Sequence, residues 1–465
     1  MSGEIERIRA EVAEQVAPKK KNRAVIERAI RKVSARIRSE AKRRDLKVKV
    51  EVEGSVAKDT WVASDRDIDV FIIFPQGTSK EVVREEGLRL AKAGASNSWR
   101  LGYAEHPYVE AEVNGCTVDI VPSAEISEGE RLVTAVDRTP LHTRFVLEKM
   151  NAKMREDVRV LKQFMKGIEV YGAELKVGGF SGYLCELLVL NYGGFEEAVR
   201  AAAEWREKTV IDYARHYREG EAGKVFDSPL VMVDPVDRRR NAAAAVTQQC
   251  YSTFVAASRW FLRRPGTDYF FPEREDAGFS KVMEEVKARG TSVVGVAVGC
   301  PNVPSDILWG EVYRSLARTV GLLEESGFRV NDCTAWSDER ECVVFLAEVE
   351  GRGLRAGRAH MGPKVFFADE AERFVNKYID GKNVLAGPYV KGERWYVELR
   401  REHTNVKALL KEGFPLLRLS RDVMAEARKG FRVYVDGELA ALCRGREGLK
   451  AALLKFIRKR PAWLK

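Results

Sequence analysis

Apolar residues recur at helical spacing through residues 5–43, at Ile5, Ile8, Val12 and Val16 and again at Val25, Ile26, Ile30, Val33 and Ile37, with Pro18 between the two series. Side chains three and four positions apart share a helix face, so the spacing predicts two amphipathic helices parted at the proline. From Leu46 the period drops to two. Val48, Val50 and Val52 alternate with Lys47, Lys49, Glu51 and Glu53, the pattern of a half-buried strand. IDVFIIF, residues 68–74, is apolar nearly throughout, as a central strand covered on both faces would be. A helix is expected over residues 79–95, then strands near 99–103, 108–113 and 116–121. Asn114-Gly115 joins the last two strands and tolerates positive φ at both positions of a tight hairpin turn. Such a hairpin sets Val113 opposite Cys116 and Glu110 opposite Asp119. It buries Val109, Ala111, Val113, Cys116, Val118 and Ile120 and leaves Glu110, Glu112, Thr117 and Asp119 on the other face.

Residues 142–264 read as helical, the alanine-rich stretch after Asn241 included. After Arg263-Arg264-Pro265-Gly266 the pattern turns mixed, with a strand over 292–298, a helix over about 308–326, a strand over 342–349 and further elements to the end. A chain of 465 residues exceeds what one core usually organises. The expected architecture is therefore α+β and multidomain, with boundaries at 1–141, a helical central domain at 142–265, and an α+β domain with its tail at 266–465.

Composition narrows the classes. No run approaches the ~18 apolar residues of a membrane span, and the charged start MSGEIERIRAEVAEQ is unlike a secretory leader, so a soluble cytoplasmic protein is expected. Seven cysteines lie scattered without a C-x-x-C pair, which argues against zinc and disulfide frameworks and for reduced core residues. Lys and Arg outnumber Asp and Glu by 79 to 69, a net +10 that favours polyanionic partners.

The chemistry concentrates in Gly54-Ser55-Val56-Ala57-Lys58-Asp59-Thr60-Trp61, followed by Asp67-Ile68-Asp69. Gly54 allows close approach of backbone to a phosphate, Ser55 offers a hydroxyl, and the amides opening the next short helix supply positive potential. Asp67 and Asp69, at i and i+2 of a strand, share a face about 6–7 Å apart along the chain. Two carboxylates can seat hard Mg²⁺ ions, and a two-metal site needs a further carboxylate, which Asp119 on the polar face of the hairpin can present. A bare D-x-D is an ordinary strand end. Its coupling to Gly-Ser and to a later strand aspartate is what points to phosphoryl transfer.

GSVAKDTW, the DID on its apolar strand and the later CTVDIVPS resemble the DNA polymerase β nucleotidyltransferase superfamily. Within it, GSVAKDTWVASDRDIDVFIIFP, YAEHPY, RTPLHTRFV, GGFSGYLCELL, DPVDRRRNAAAAV and SDILWGEVYRSL are similar to the archaeal, class I CCA-adding enzymes, to about residue 380. The resemblance implies a palm-like catalytic domain, a helical nucleotide-recognition domain and a C-terminal domain that grips tRNA. It implies template-independent addition of CCA to the tRNA 3′ end from CTP and ATP with release of pyrophosphate, and a homodimer. It assigns Mg²⁺ to Asp67, Asp69 and Asp119, with Asp67 standing where the family often has glutamate. It matches nucleotide contacts to Ser55, Lys58, His142, Lys162 and Tyr171, with Thr139 close by, and base reading to Arg240; Lys58 stands where arginine is common, so a bidentate phosphate contact becomes a point charge.

Each assignment has a plainer alternative. Lys162 is a surface lysine beside a packed tyrosine, His142 after Pro140 caps the next helix, and Arg240 belongs to a solvated basic run, Arg238-Arg239-Arg240. His106 and Tyr108, beside the acidic hairpin, stack on the primer end or pack the sheet edge. Arg352, Arg355, Arg358, Arg400, Arg401 and the basic run 455–459 neutralise stem phosphates or form a charged face. Two rival functions share the module: another terminal nucleotidyltransferase, such as a poly(A) polymerase or an oligoadenylate synthetase, and an inert RNA-binding scaffold.

Overall fold

The computed structural model describes residues 2–95, 99–103, 107–125, 135–273 and 278–464. The chain divides into two compact units, residues 1–274 with 461–465, and residues 275–460. His106 lies outside the described residues.

In the first unit the proline break separates α1 (Ser2–Val16) from α2 (Lys20–Arg43), and the two helices go to different cores. Ile5, Ile8, Val12 and Val16 of α1 join the core formed largely by residues 146–270. Ile26, Ala29, Val33 and Ile37 of α2 pack under a sheet. That sheet contains β1 (Lys49–Glu53), followed by the single turn α3 (Gly54–Ala57), and β2 (Asp67–Phe74). After α4 (Lys80–Ala95) come β3 (Trp99–Tyr103), β4 (Pro107–Val113) and β5 (Cys116–Ala124). The spatial order is β1-β2-β5-β4-β3, with β2 parallel to β5 and the other neighbours antiparallel. Alternation sends Ile68, Val70, Ile72, Val118 and Ile120 into the core shared with α2 and α4, leaving Asp67, Asp69 and Asp119 on the opposite face.

The hairpin has the expected register, Val113 opposite Cys116 and Glu110 opposite Asp119, and its six expected core residues are buried. Strand β1 departs from expectation in two respects. It begins at Lys49 rather than near Leu46, and Glu53, expected on a solvated face, is only 4% exposed.

The expected boundary after residue 141 falls inside α5 (Ala135–Lys149), which carries Pro140. There follow α6 (Ala152–Gly167), α7 (Gly182–Tyr192), α8 (Phe195–Ala203), β6 (Thr209–Ile211), α9 (Ala222–Val225), β7 (Leu230–Asp234), β8 (Asp237–Asn241) and α10 (Gln248–Arg263). The region read as helical thus holds a three-stranded sheet, β6-β7-β8. Pro229 and Pro235 bracket the apolar run 230–233, a signal for a short buried strand. The alanines after Asn241 form turns, and helix resumes only at Gln248. Helix propensity loses here because the buried Asn241 side chain accepts from the amides of Met232 and Ala243, both at 2.9 Å, and donates to the Leu230 carbonyl at 3.0 Å.

The second unit is built on a four-stranded antiparallel sheet in the order Val330–Ser337, Cys342–Val349, Ser292–Gly299, Phe431–Val435. The expected strands at 292–298 and 342–349 are both in it, and the expected helix is Ser305–Glu325. Its two faces carry separate apolar cores. A smaller three-stranded sheet, with Arg394–Arg400 central, packs the helix Ala368–Tyr378. All seven cysteines are free; Cys333, expected in a core, is exposed. Among the described residues no helix is long and apolar enough to cross a membrane.

Candidate active site

The parallel pairing of β2 with β5 puts Asp69 directly beside Asp119, and Asp67 one step along the same face. Asp69 and Asp119 line a cleft of about 420 Å³, while the exposed Asp67 stands outside its lining. Crowding of like charges out of water disfavours ionisation. Burial, then Asp69, Glu110 and Asp67, push the Asp119 carboxyl up to about 7. Burial, opposed by Lys58 and reinforced by Asp67, also raises Asp69, and desolvation with Asp65 raises Asp67. Oδ1 of Asp119 is buried without a hydrogen-bond partner. Among the described residues no three His, Cys, Asp or Glu side chains converge as a ready-made cation cage.

Gly54 is required by its surroundings. Its φ is +67°, and a Cβ there would lie 1.9 Å from Oδ2 of Asp69, so this turn admits only glycine and fixes the acid against the backbone. Ser55 and Lys58 line the same cleft. Lys58, 5% exposed, donates from Nζ to Glu186 Oε2 at 2.5 Å, and the Thr60 hydroxyl donates to Oε1 of the same fully buried carboxylate, also at 2.5 Å. Lys162 is 1% exposed and donates to the Thr60 carbonyl at 2.9 Å. It is therefore no surface lysine. Among the described residues no carboxylate forms an ion pair with it, and desolvation holds its pKa below the usual lysine range. Lys58 is thus paired through Glu186, while Lys162 is held by a backbone carbonyl, and both lysines favour the ionised form of Asp69 in the same cleft. Tyr171, beyond the end of α6, lines the cleft, and burial pushes its phenol well up.

Ser181 caps α7 through the Leu184 amide and directs Gly182, Tyr183 and Glu186 to the cleft. From α5, Thr139 and His142 reach the same lining. The His142 ring stacks on Tyr183 at 3.9 Å between centroids, and its Nε2–H donates to Asp234 Oδ2 at 2.9 Å. Arg240 Nη1 donates to that oxygen at 2.7 Å. Arg240 does not line the cleft itself but is tied to it through Asp234. Burial works against the Asp234 anion, yet His142 and Arg240 outweigh it and hold the carboxyl near 2. Burial, only partly opposed by Asp234, lowers His142.

The fold therefore gathers Gly54, Ser55, Lys58, Asp69, Tyr108, Asp119, Thr139, His142, Lys162 and Tyr171 around one cleft. Glu186, Tyr183 and Asp234 were not anticipated. Glu186 follows the glycine-rich GGFSGY on an apolar helix, where a lone carboxylate is itself a signal for a buried cation. A second groove, about 470 Å³, lies along β1 and α5 and is lined by Glu51, Glu53, Arg144 and Leu147 among others; it holds none of the anticipated residues. In the second unit Arg352, Arg355, Arg358 and Arg400 are exposed. Arg401 instead donates to the Ser326 carbonyl at 2.7 Å, and Lys459 pairs with Glu348 at 2.8 Å.

Three family profiles tile the chain: "Nucleotidyltransferase domain" over residues 34–142, "tRNA nucleotidyltransferase, second domain" over 156–271, and "CCA-adding enzyme, C-terminal domain" over 289–436. Among similar proteins, the CCA-adding enzyme of Pyrobaculum islandicum is 40% identical over 88% of this chain and 93% of its own length. That of Methanothermobacter thermautotrophicus is 39% identical over 82% and 83%. That of Saccharolobus shibatae is 33% identical over 98% of this chain and its full length. With the acidic strands and the cationic cleft in place, and with relatives alike along nearly the whole chain, this protein belongs to the family of CCA-adding enzymes.

Proposed function

We propose that the chain extends the 3′ end of tRNA with cytidine, cytidine and adenosine, template-independently, consuming CTP and ATP and releasing pyrophosphate. The observation that carries this reading is the pairing of opposites across one cleft: carboxylates on the sheet face, and a buried cation without an ion-pair partner across from them. A nucleoside triphosphate laid between them would set its phosphate tail on Lys58 and Lys162, with Ser55 donating to it and Gly54 giving it room. His142 and Tyr171 would flank the nucleotide, and Arg240 would meet the base.

The acid trio fits Mg²⁺. Its donors are hard oxygens, and the bare Oδ1 of Asp119 is available to a cation. A Mg²⁺ ion keeps waters and takes substrate oxygens, so one or two carboxylates per ion suffice without a closed protein cage. Asp67, Asp69 and Asp119 would hold it; when bound it supplies positive charge for the leaving pyrophosphate and for the attacking hydroxyl. The chain's own part is to aim the carboxylates, to pin the triphosphate, and to exclude water from the buried lysine side. Tyr108 would carry the primer end by stacking. Family membership also supports a homodimer and a cytoplasmic setting.

The test is to incubate the protein with tRNA lacking its terminal CCA, with each NTP separately and then with CTP and ATP together. Addition of two C residues from CTP and completion to CCA with both is expected. Unlimited A addition would instead make it a poly(A)-type polymerase, and tRNA binding with no turnover a scaffold.

A further inference from the structure

Asp234 is fully buried, yet four donors converge on it from three parts of the fold. Oδ2 accepts from His142 on α5 at 2.9 Å and from Arg240 on β8 at 2.7 Å. Oδ1 accepts from the Tyr183 hydroxyl on α7 at 3.2 Å and from the Val236 amide at 3.1 Å. Two of these partners, His142 and Tyr183, stack on each other and line the cleft. The third, Arg240, has a side chain that is still 36% exposed. One carboxylate therefore fixes a stacked aromatic pair in the cleft wall and a half-exposed guanidinium beside it, in a single hydrogen-bonded group.

We infer that Asp234 is a positioning residue for nucleotide selection, coupling the orientation of Arg240 to the His142–Tyr183 wall so that base and sugar-phosphate are judged together. The inference rests on the proposed contact of Arg240 with the incoming base. A free arginine has several rotatable bonds and five donors, and can follow almost any acceptor. With Nη1 committed to Asp234 the guanidinium plane is set, and only its remaining N–H groups meet a base at a defined angle. Because His142 binds the same oxygen, a nucleotide that displaces the stacked pair also tilts the arginine. A mismatched base thus loses contacts at both ends of the nucleotide, which is how a modest difference in binding becomes a larger one.

The experiment measures the ratio of kcat/KM for CTP to that for UTP on tRNA lacking CCA, in wild type, D234N, R240A and the double variant, with thermal melts and tRNA affinity recorded alongside. D234N is expected to lower the ratio by about tenfold or more, the scale of a hydrogen bond to a charged group, with tRNA affinity unchanged. R240A should lower it similarly, and the double variant should fall no further than R240A alone, since the two act as one unit. A folded D234N that loses turnover but keeps the wild-type ratio, while R240A loses it, overturns the coupling and leaves the base-reading assignment standing. If R240A itself keeps the ratio, the assignment of Arg240 falls and the inference with it. Should D234N not fold, Y183F carries the test: it removes one tether and spares the carboxylate. A fall of about threefold in the ratio is expected there, within the range of one hydrogen bond, and an unchanged ratio overturns the proposal.

Discussion

A half-buried aspartate and a fully buried one serve the same cleft and are driven in opposite directions. Asp119 sits on a sheet face beside Asp69 and Asp67, and burial with these like charges lifts its carboxyl to about 7. Asp234 sits behind the opposite wall, where His142 and Arg240 overcome the cost of burial and bring it to about 2. The sheet side crowds like charges together; the wall behind His142 pairs its carboxylate with donors of the chain itself. The proposed cation site and a fixed wall would call for these opposite electrostatics, and burial serves both because it magnifies whichever charge stands nearby.

The contrast can be broken most sharply at the acids. D69N is expected to reduce turnover about a thousandfold or more, several kcal/mol of lost transition-state stabilisation. Single-turnover kinetics on tRNA lacking CCA would measure it, and a rate within tenfold of wild type would overturn the metal role proposed for Asp69. Next comes stability. D234N leaves Arg240 and the polar wall without their anion and should cost about 3 kcal/mol. D119N relieves repulsion and should stabilise the metal-free protein at pH 8. Urea unfolding in EDTA compares the two, and changes of equal sign would erase the distinction drawn here.

Smaller effects sharpen the picture of the cationic side. K162M removes a desolvated ammonium that forms no ion pair among the described residues. Losing the hydrogen bond to the Thr60 carbonyl should cost about 1–3 kcal/mol of stability, while KM for CTP and ATP rises about tenfold, as for a lost charge-assisted phosphate contact. A variant that unfolds instead would mark Lys162 as structural. The mildest effect concerns pH. Because folded Asp119 titrates near 7 against an ordinary 3.8, the folded state binds the extra proton between those values. Stability of the metal-free protein should therefore fall as pH rises from about 4 to about 7 and then level off. Melting temperatures in EDTA should show this slope, D119N should flatten it, and added Mg²⁺ should restore most stability above pH 7, where the carboxylates are free to bind. A slope that D119N leaves unchanged would assign the titration to other groups.

How much of this was legible depended on whether a signal was local. The hairpin register, the burial of its six core residues and the shared face of Asp67 and Asp69 follow from a period of two and one Asn-Gly turn. All of them appear in the fold. Residues 209–241 were misread because three short strands, one of them bearing the basic run Arg238-Arg239-Arg240, carry little periodicity. A surface position for Lys162 stays an open alternative in the sequence because sequence alone does not reveal that α6 is covered on that side. Glu53 looked solvated because strict alternation takes no account of the burial that its neighbours impose.

By itself the sequence determined the strand order of polar and apolar faces, the glycine turn and the three acids that share a surface, because backbone geometry spaces neighbouring side chains the same way wherever a strand forms. It also carried enough likeness along its length to place the chain in its family. Only the tertiary structure decided which charges meet. Lys58 with Glu186, 128 positions on, and His142 with Asp234 and Arg240 are pairings that bring the end of α3, α5, α7, β7 and β8 together. Burial then strengthens these pairings, and burial is a property of the packed fold rather than of any residue in the chain.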